Sequence, residues 1–344
     1  MDVNLFNDAI QFRVDMYNEI RSSILQTRSD IPSTLGLQAS LQSNVGEVEA
    51  WGTDASLDVN HSFTNSFWIT GRGTFTYNNN KFNVYEEPNY AAIGANWVSR
   101  VGRNVTQTSG YIAERLFVDD EEARNSPRQF GTPGVNYGGG DLKYKDLNGD
   151  GVITSLDVVA IGNPRVPKIT YGFGASVGYN KFDLNLFFQG LGGTSFAIDP
   201  IRTGPFINSI TGSLNNDPLR LSTANGLLSE NGLLKAYADD HWTEENPNVY
   251  ALWPRLTTEI IQNNVVSSTW WQRDGSFVRL KQLEVGYTVI KNQRKFGMSG
   301  LRIYATGTNL FTWSSFKLWD PELGGNGFNY PLQRVFNLGI QLGF

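Results

Sequence analysis

The last stretch of the chain, Arg334 to Phe344, alternates strictly. Phe336, Leu338, Ile340, Leu342 and Phe344 fall on one side of an extended strand, and Asn337, Gly339, Gln341 and Gly343 on the other. Successive side chains of a strand point to opposite faces, so this segment has one apolar and one polar face. The strand runs to the final residue and stops on a bare aromatic, and its apolar face needs a cover. In a transmembrane β-barrel, lipid supplies that cover and the strand closes the barrel. The expected fold is therefore all-β: an antiparallel transmembrane β-barrel with long extracellular loops.

The interior repeats the pattern. Tyr171, Phe173, Ala175, Val177 and Tyr179 alternate with Thr170, Gly172, Gly174, Ser176 and Gly178. The two tyrosines lie about 27 Å apart along a strand. At a tilt of about 40° that covers roughly 20 Å vertically, close to the apolar band between two aromatic girdles. Asn180-Lys181 makes a tight turn, and Phe182, Leu184, Leu186 and Phe188 alternate with polar residues on the way back. Further strands are expected at 4–15, 17–27, 45–59, 63–78, 276–289 and 301–313, with a turn near 16. The connections alternate between short and long, as periplasmic turns and extracellular loops do. Nine strands starting downward leave Phe344 on the periplasmic side. Nine is odd, whereas single-chain bacterial barrels are even, so further strands are expected ahead of Met1.

Composition sets limits on function. No apolar run approaches the roughly 18 residues of a membrane helix. Aromatics make up 13% of the chain, with nine Trp and 14 Tyr, which suits girdles. A net charge of −5 argues against nucleic-acid binding. Cysteine is absent, which removes thiol chemistry, Cys-ligated zinc, disulfides and a lipid-modified Cys anchor. The start, MDVNLFNDAIQFRVD, has neither a basic region nor an apolar core of a secretory signal. An outer-membrane protein must be exported. A signal peptide and earlier strands are thus expected upstream of residues 1–344, which read as one barrel portion without internal domains.

One motif carries chemistry. Asp146, Asn148 and Asp150 occupy positions 1, 3 and 5 of a calcium-type loop, and Gly151 takes the sharp turn at 6. Val152 offers a carbonyl at 7, Thr154 sits at 9, and Asp157 falls at 12 in place of the usual Glu. Structural Ca²⁺ is the expected ligand of this insertion, residues 140–165; the alternative is an Asx-rich turn without metal. Asp239, Asp240, Glu244 and Glu245 around His241 read as a solvated acidic face rather than a paired-carboxylate site. Trp253, Trp270, Trp271 and Trp319 fall in or beside outer loops, where loop-core packing competes with sugar stacking. No catalytic residues are expected, and the chain does not read as an enzyme.

Several stretches together resemble the SusC/RagA group of TonB-dependent outer-membrane transporters, over essentially the whole chain. They are Gly140-Asp-Leu-Lys-Tyr-Lys-Asp-Leu-Asn-Gly-Asp-Gly-Val-Ile153, Ile161-Gly-Asn-Pro164, Tyr171-Gly-Phe173 and Gln189-Gly190. Trp253-Pro-Arg255, Phe277-Val-Arg-Leu-Lys281, Thr308-Asn-Leu-Phe-Thr-Trp313, Asp320-Pro-Glu322 and the terminal Phe344 follow in the same order. The resemblance implies the last nine strands of a plugged 22-stranded barrel. It also implies import of oligosaccharides or peptides, with a SusD-like lipoprotein as an outer lid and TonB supplying energy through the missing plug portion. The terminal strand, Phe336, Leu338, Ile340, Leu342 and Phe344, then looks like the signal read by the barrel-assembly machinery. Alternatives are a calcium-stabilised surface binding or adhesion protein anchored by barrel strands, or a non-functional fragment of a transporter gene. A secreted enzyme with a dockerin-like loop would need two such loops.

Overall fold

A computed structural model describes residues 1–29, 31, 36, 39–205, 232–257, 260–295 and 298–344. Nine strands form one antiparallel sheet in which chain order is spatial order. They are β1 (Asp2–Leu5), β2 (Ile10–Thr27), β3 (Gln42–Thr64), β4 (Phe67–Val84), β5 (Ile169–Tyr179), β6 (Phe182–Gly192), β7 (Phe277–Lys295), β8 (Met298–Ser314) and β9 (Val335–Gly343). The sheet is open, with β1 and β9 at its edges. Short connections lie at one end and long ones, 28–41, 85–168, 193–276 and 315–334, at the other. Parts of the 28–41 and 193–276 connections lie outside the described residues, as does the β7–β8 turn.

The first boundary differs from the sequence expectation. Residues 10–27 make a single 18-residue strand, and the turn expected near 16 is absent there. The chain reverses instead at Phe6, Asn7 and Asp8, whose φ angles are 55°, 54° and 65°. Asn and Asp enter this left-handed region more readily than other non-glycine residues. Near residue 16 the opposite holds: Tyr17 pairs directly with Gly52 and continues the ladder.

Register separates two faces. Phe173 stands opposite Phe188, and Phe188 opposite Leu280, in an outward apolar row. Two aromatic belts cross this face. Phe67–Tyr179 and Phe182–Tyr287 form one at the short turns, with ring centroids 6.0 and 4.8 Å apart. Phe173–Phe188, at 4.9 Å, with Phe311 and Trp313 forms the other towards the long loops. In β9, Phe336, Leu338 and Ile340 are 74%, 79% and 65% exposed, as an apolar face awaiting lipid requires. The opposite face is polar. Arg302 joins Asp183 and Glu284 across three strands, and Arg72 meets Asp58. A concave hollow of about 510 Å³ on this face is lined by Asp58, Arg72, Ser176, Asn185, Phe187 and Gln282.

Glycines on this sheet serve as seats for neighbouring rings. In five direct cross-strand pairs the aromatic ring lies over its glycine: Tyr17–Gly52, Trp68–Gly178, Tyr171–Gly190, Phe187–Gly174 and Tyr304–Gly339. A Cβ built at Gly178 would stand 2.1 Å from the Trp68 Nε1, and one at Gly339 would stand 2.3 Å from the Tyr304 ring. Gly73, by contrast, has nothing within 4 Å. Gly178→Val is therefore expected to displace Trp68 and destabilise the barrel by about 1–3 kcal/mol. Gly73→Ala should be near neutral. Thermal unfolding in detergent, followed by heat-modifiable migration and tryptophan emission, checks both.

Candidate functional site: the outer loop module

The well-buried core of this protein lies mostly in its long loops. Leu116, Leu142, Tyr144 and Ile153 come from 85–168, Ile198, Tyr237, Trp242, Trp253 and Trp271 from 193–276, and Phe316 from 315–334. A strand wall that faces lipid on one side and water on the other has no interior of its own. Loops can fold on one another by ordinary burial, at about 25 cal/mol per Å² of apolar surface. Rings carry much of it: Tyr237 stacks on Trp253 at 4.0 Å, and Trp253 meets Trp271 at 5.0 Å. Trp270, Trp271 and Trp319 donate their indole N–H to the carbonyls of Leu252, Asn264 and Gly324. These tryptophans are thus core and packing elements, not free platforms for a sugar.

The scattered sequence stretches prove to be mating halves. Asp141, fully buried, accepts a bidentate pair from Arg255 at 2.9 Å each. Asn264 Nδ2 and the Gly138 amide donate to the same carboxylate. Gly140, at φ 79°, lies beneath Trp242, whose ring a Cβ would meet at 2.4 Å. The 140–153 stretch is thereby locked to Trp253-Pro-Arg255. Burial pushes the Asp141 carboxyl above its ordinary value, while Arg255, Asn264 and the Gly138 amide pull it the other way. Asn163 and Pro164 meet Ser195 through two hydrogen bonds, Asn163 N–H to Ser195 Oγ and Ser195 N–H to the Pro164 carbonyl. Tyr171 covers Gly190. Arg279 pairs with Asp320 and Glu322. Sequence reading named these motifs but had no means of saying which partner each met.

Glu122 ties the short helix Asp120–Asn125 to its surroundings, accepting from Arg115, Lys143 and the Val118 amide. Burial raises its pKa, but those donors outweigh burial and hold it at about 2. Of the acidic residues near His241, Asp239 is bridged to Lys235 and Asp240 accepts the Leu252 amide. Both carboxylates are engaged in local structure.

The calcium-type loop folds as a chain of side-chain turns. Asp146 accepts the amides of Gly149 and Gly151, Asn148 that of Asp150, and Asp150 that of Val152. Gly149 and Gly151 take φ 75° and 81°. Asp157 is fully buried and accepts the amides of Leu147 and Thr154, while Thr154 caps Leu156. The side chains of the first three positions are held by these backbone amides. Asp157 clamps the loop closed from its twelfth position. Among the described residues, no group of three or more His, Cys, Asp or Glu side chains gathers about one point.

No family model matches the sequence. TonB-dependent receptor P26 of Formosa agariphila is 28% identical over 371 residues, covering 100% of this chain and 34% of that protein. TonB-dependent receptor P3 of the same organism is 26% identical over 100% of this chain and 33% of its own length. TonB-dependent receptor SusC of Bacteroides thetaiotaomicron is 23% identical over 362 residues, 100% of this chain and 31% of that one. The chain therefore spans about a third of the length of the curated relatives it matches. Among solved structures, the RagAB peptide importer in its open-open state aligns at TM-score 0.63 and 21% identity, covering 100% of this chain and 34% of that one. The closed-closed state aligns at 0.62 over the same shares. This likeness establishes the fold.

If Asp141 and Arg255 hold the two largest loops together, Asp141→Ala leaves the half-exposed Arg255 guanidinium and the buried Asn264 amide without their acceptor. The loop module should lose about 1–3 kcal/mol, because Arg255 can regain water and the buried Asn264 cannot. The outer loops should become protease-sensitive while heat-modifiable migration of the barrel persists.

Proposed function

Because this chain is C-terminal barrel sequence of the SusC/RagA group of TonB-dependent receptors, seated in the outer membrane, we propose that it forms part of an energy-coupled importer of oligosaccharides or peptides. The observation that carries this reading is similarity along the entire chain to receptors named for TonB, joined to a wall that is apolar outside and polar inside. A polar inner face lined by Arg72, Asn185 and Gln282 suits passage or packing of hydrated groups. An outer module in which three loops share one core offers a firm rim for a SusD-like lipoprotein. TonB would act through parts of the receptor outside the matched third. Peptides as cargo draw on the likeness to RagAB, and oligosaccharides on the group resemblance. The role is transport, with no bond made or broken by these residues. Cells carrying the intact receptor as sole importer should take up labelled oligosaccharide or peptide, and deletion of TonB should reduce uptake at least about tenfold. Unchanged uptake without TonB would sink the proposal.

We also propose that the 146–157 loop takes Ca²⁺ through Asp146, Asn148, Asp150 and the Val152 carbonyl, with Thr154 and Asp157 completing or closing the turn. Support comes from the amide bonds that already set the side chains of positions 1, 3 and 5 around the Gly149–Gly151 bend. An ion there would stabilise the folded loop by mass action at extracellular calcium levels. Calorimetry on the folded receptor should register calcium binding that Asp146→Ala with Asp150→Ala abolishes. Identical traces for parent and double variant would leave the loop as a turn only.

A further inference from the structure

Arg279 lies two residues inside the outer end of β7, and register fixes its side. It stands opposite Gln189, which stands opposite Gly172, in the polar row of the wall. Leu280, Phe188 and Phe173 form the outward row beside it. Arg279 is a cation facing the lumen, yet it is only 1% exposed. What covers it comes from the last outer loop. Its Nη2 donates to both Asp320 oxygens at 2.7 and 2.9 Å and lies 2.9 Å from Glu322 Oε2. The guanidinium sits 5.2 Å over the Phe277 ring. Asp320 caps the single turn Pro321–Leu323 by accepting the Glu322 amide, so both carboxylates are presented from one small rigid unit. A loop whose carboxylates reach an inward-pointing side chain runs inside the mouth of the barrel, not outside it.

We propose that residues 315–334 are a strap drawn across the inner wall of the mouth, and that Arg279 is its releasable latch. The strap has two different attachments. Phe316 packs edge-on against Phe196 and Trp319, each with centroids 5.0 Å apart. Gly325 lies so close to the Ala197 carbonyl that a Cβ would stand 2.1 Å from it, and its own carbonyl accepts the Asp199 amide. The Phe316–Phe196 and Gly325–Asp199 contacts tie the strap to the neighbouring loop, and the Phe316–Trp319 contact stiffens the strap itself. Among the described residues, the Arg279 triad is the charged tie between the strap and the strand wall, and Asn309 of β8 holds the far end through the Gln333 carbonyl. Beyond Gly325 the strap carries Phe328 and Tyr330 exposed.

The triad is suited to release. One cation faces two carboxylates, so a negative charge is left over, and the buried Arg279 Nε has no acceptor. Asp320 and Glu322 keep 21% and 31% of their side chains in contact with solvent. On release, all three groups exchange one another for water, the carboxylates outside and Arg279 in the lumen. Attraction lost and hydration regained are opposing terms of similar size for such ions. An equilibrium so balanced moves with a modest differential interaction, such as cargo touching the strap. The strap's position would then set the width of the mouth. This inference rests on the barrel wall and its register, and it stands whether or not the import reading does.

Residues 1–344 contain no cysteine, so a reporter thiol introduced there is read against the receptor without it as the blank. Leu323→Cys in the intact receptor, in outer membranes, is labelled with a membrane-impermeant maleimide. Arg279→Met and the double variant Asp320→Asn with Glu322→Gln should each speed labelling at least about tenfold. Arg302→Met, which breaks an ion triad elsewhere on the inner wall, should not. Rates within about twofold of the parent in both latch variants would overturn the proposal, leaving the Phe316 and Trp319 packing to hold the strap. Loss of heat-modifiable migration in both variants would overturn it too, because the triad would then hold the wall itself.

Discussion

A backbone amide that crosses hydrocarbon has no water to bond, so each must find its partner on the next strand. That one requirement orders everything else here. It forces a ladder of consecutive antiparallel neighbours from Asp2–Leu5 to Val335–Gly343. It leaves side chains, not backbone, to distinguish the two sides of the wall. Apolar rows go outward and charged rows inward, the reverse of a soluble domain in which the sheet supplies the core. Among the described residues, the familiar kind of core, dry and ring-filled, gathers where chain leaves the wall, around Tyr237, Trp253 and Trp271.

The wall was legible in the sequence because period two is a local signal. The alternation at 336–344 and the Tyr171–Phe188 hairpin correspond to observed strands with the expected outward residues. The alternating connection lengths also hold. The early turn was not legible: the reversal at Phe6–Asp8 depends on three left-handed residues, and nothing in the alternation marks them. Strand 45–59 extends to Gln42–Thr64, and strand 63–78 is displaced to Phe67–Val84, because the turn expected at 60–62 falls at 65–66. Their extensions are mostly polar and lack regular alternation; pairing carries the ladder there, with Phe63 stacked on Phe67 and Phe82 against Tyr85.

The loop module was legible only as a list of parts. Asp141 and Arg255 are 114 residues apart in sequence, and Arg279 and Asp320 are 41 apart. Each stretch has a composition that suggests importance, but pairing is a property of the folded chain. Asp157 makes the same point in the other direction. Its spacing suggests an end ligand, and its burial and its two amide donors add a clamp that the spacing does not announce. A shorter acid than the usual Glu reaches the backbone beside it more easily than a point across the loop.

The ring-on-glycine pairs have a consequence for how such a wall is put together and how it can vary. In four of the five, the bulky partner lies on the earlier strand and the glycine on a later one: Tyr17 before Gly52, Trp68 before Gly178, Tyr171 before Gly190, Tyr304 before Gly339. Each arriving strand thus brings a notch to a tooth already in place. A slip of two residues keeps the inside in and the outside out, so hydrophobicity alone would not reject it. It would, however, set Asn337 or Gln341 against the Tyr304 ring, where a side chain has no room. These notches work like the cuts of a key, admitting one alignment among several that greasy and wet faces would accept. Insertions are then confined to the loops, and a lineage of such receptors can diversify its rim while every stave of the cask stays the same length.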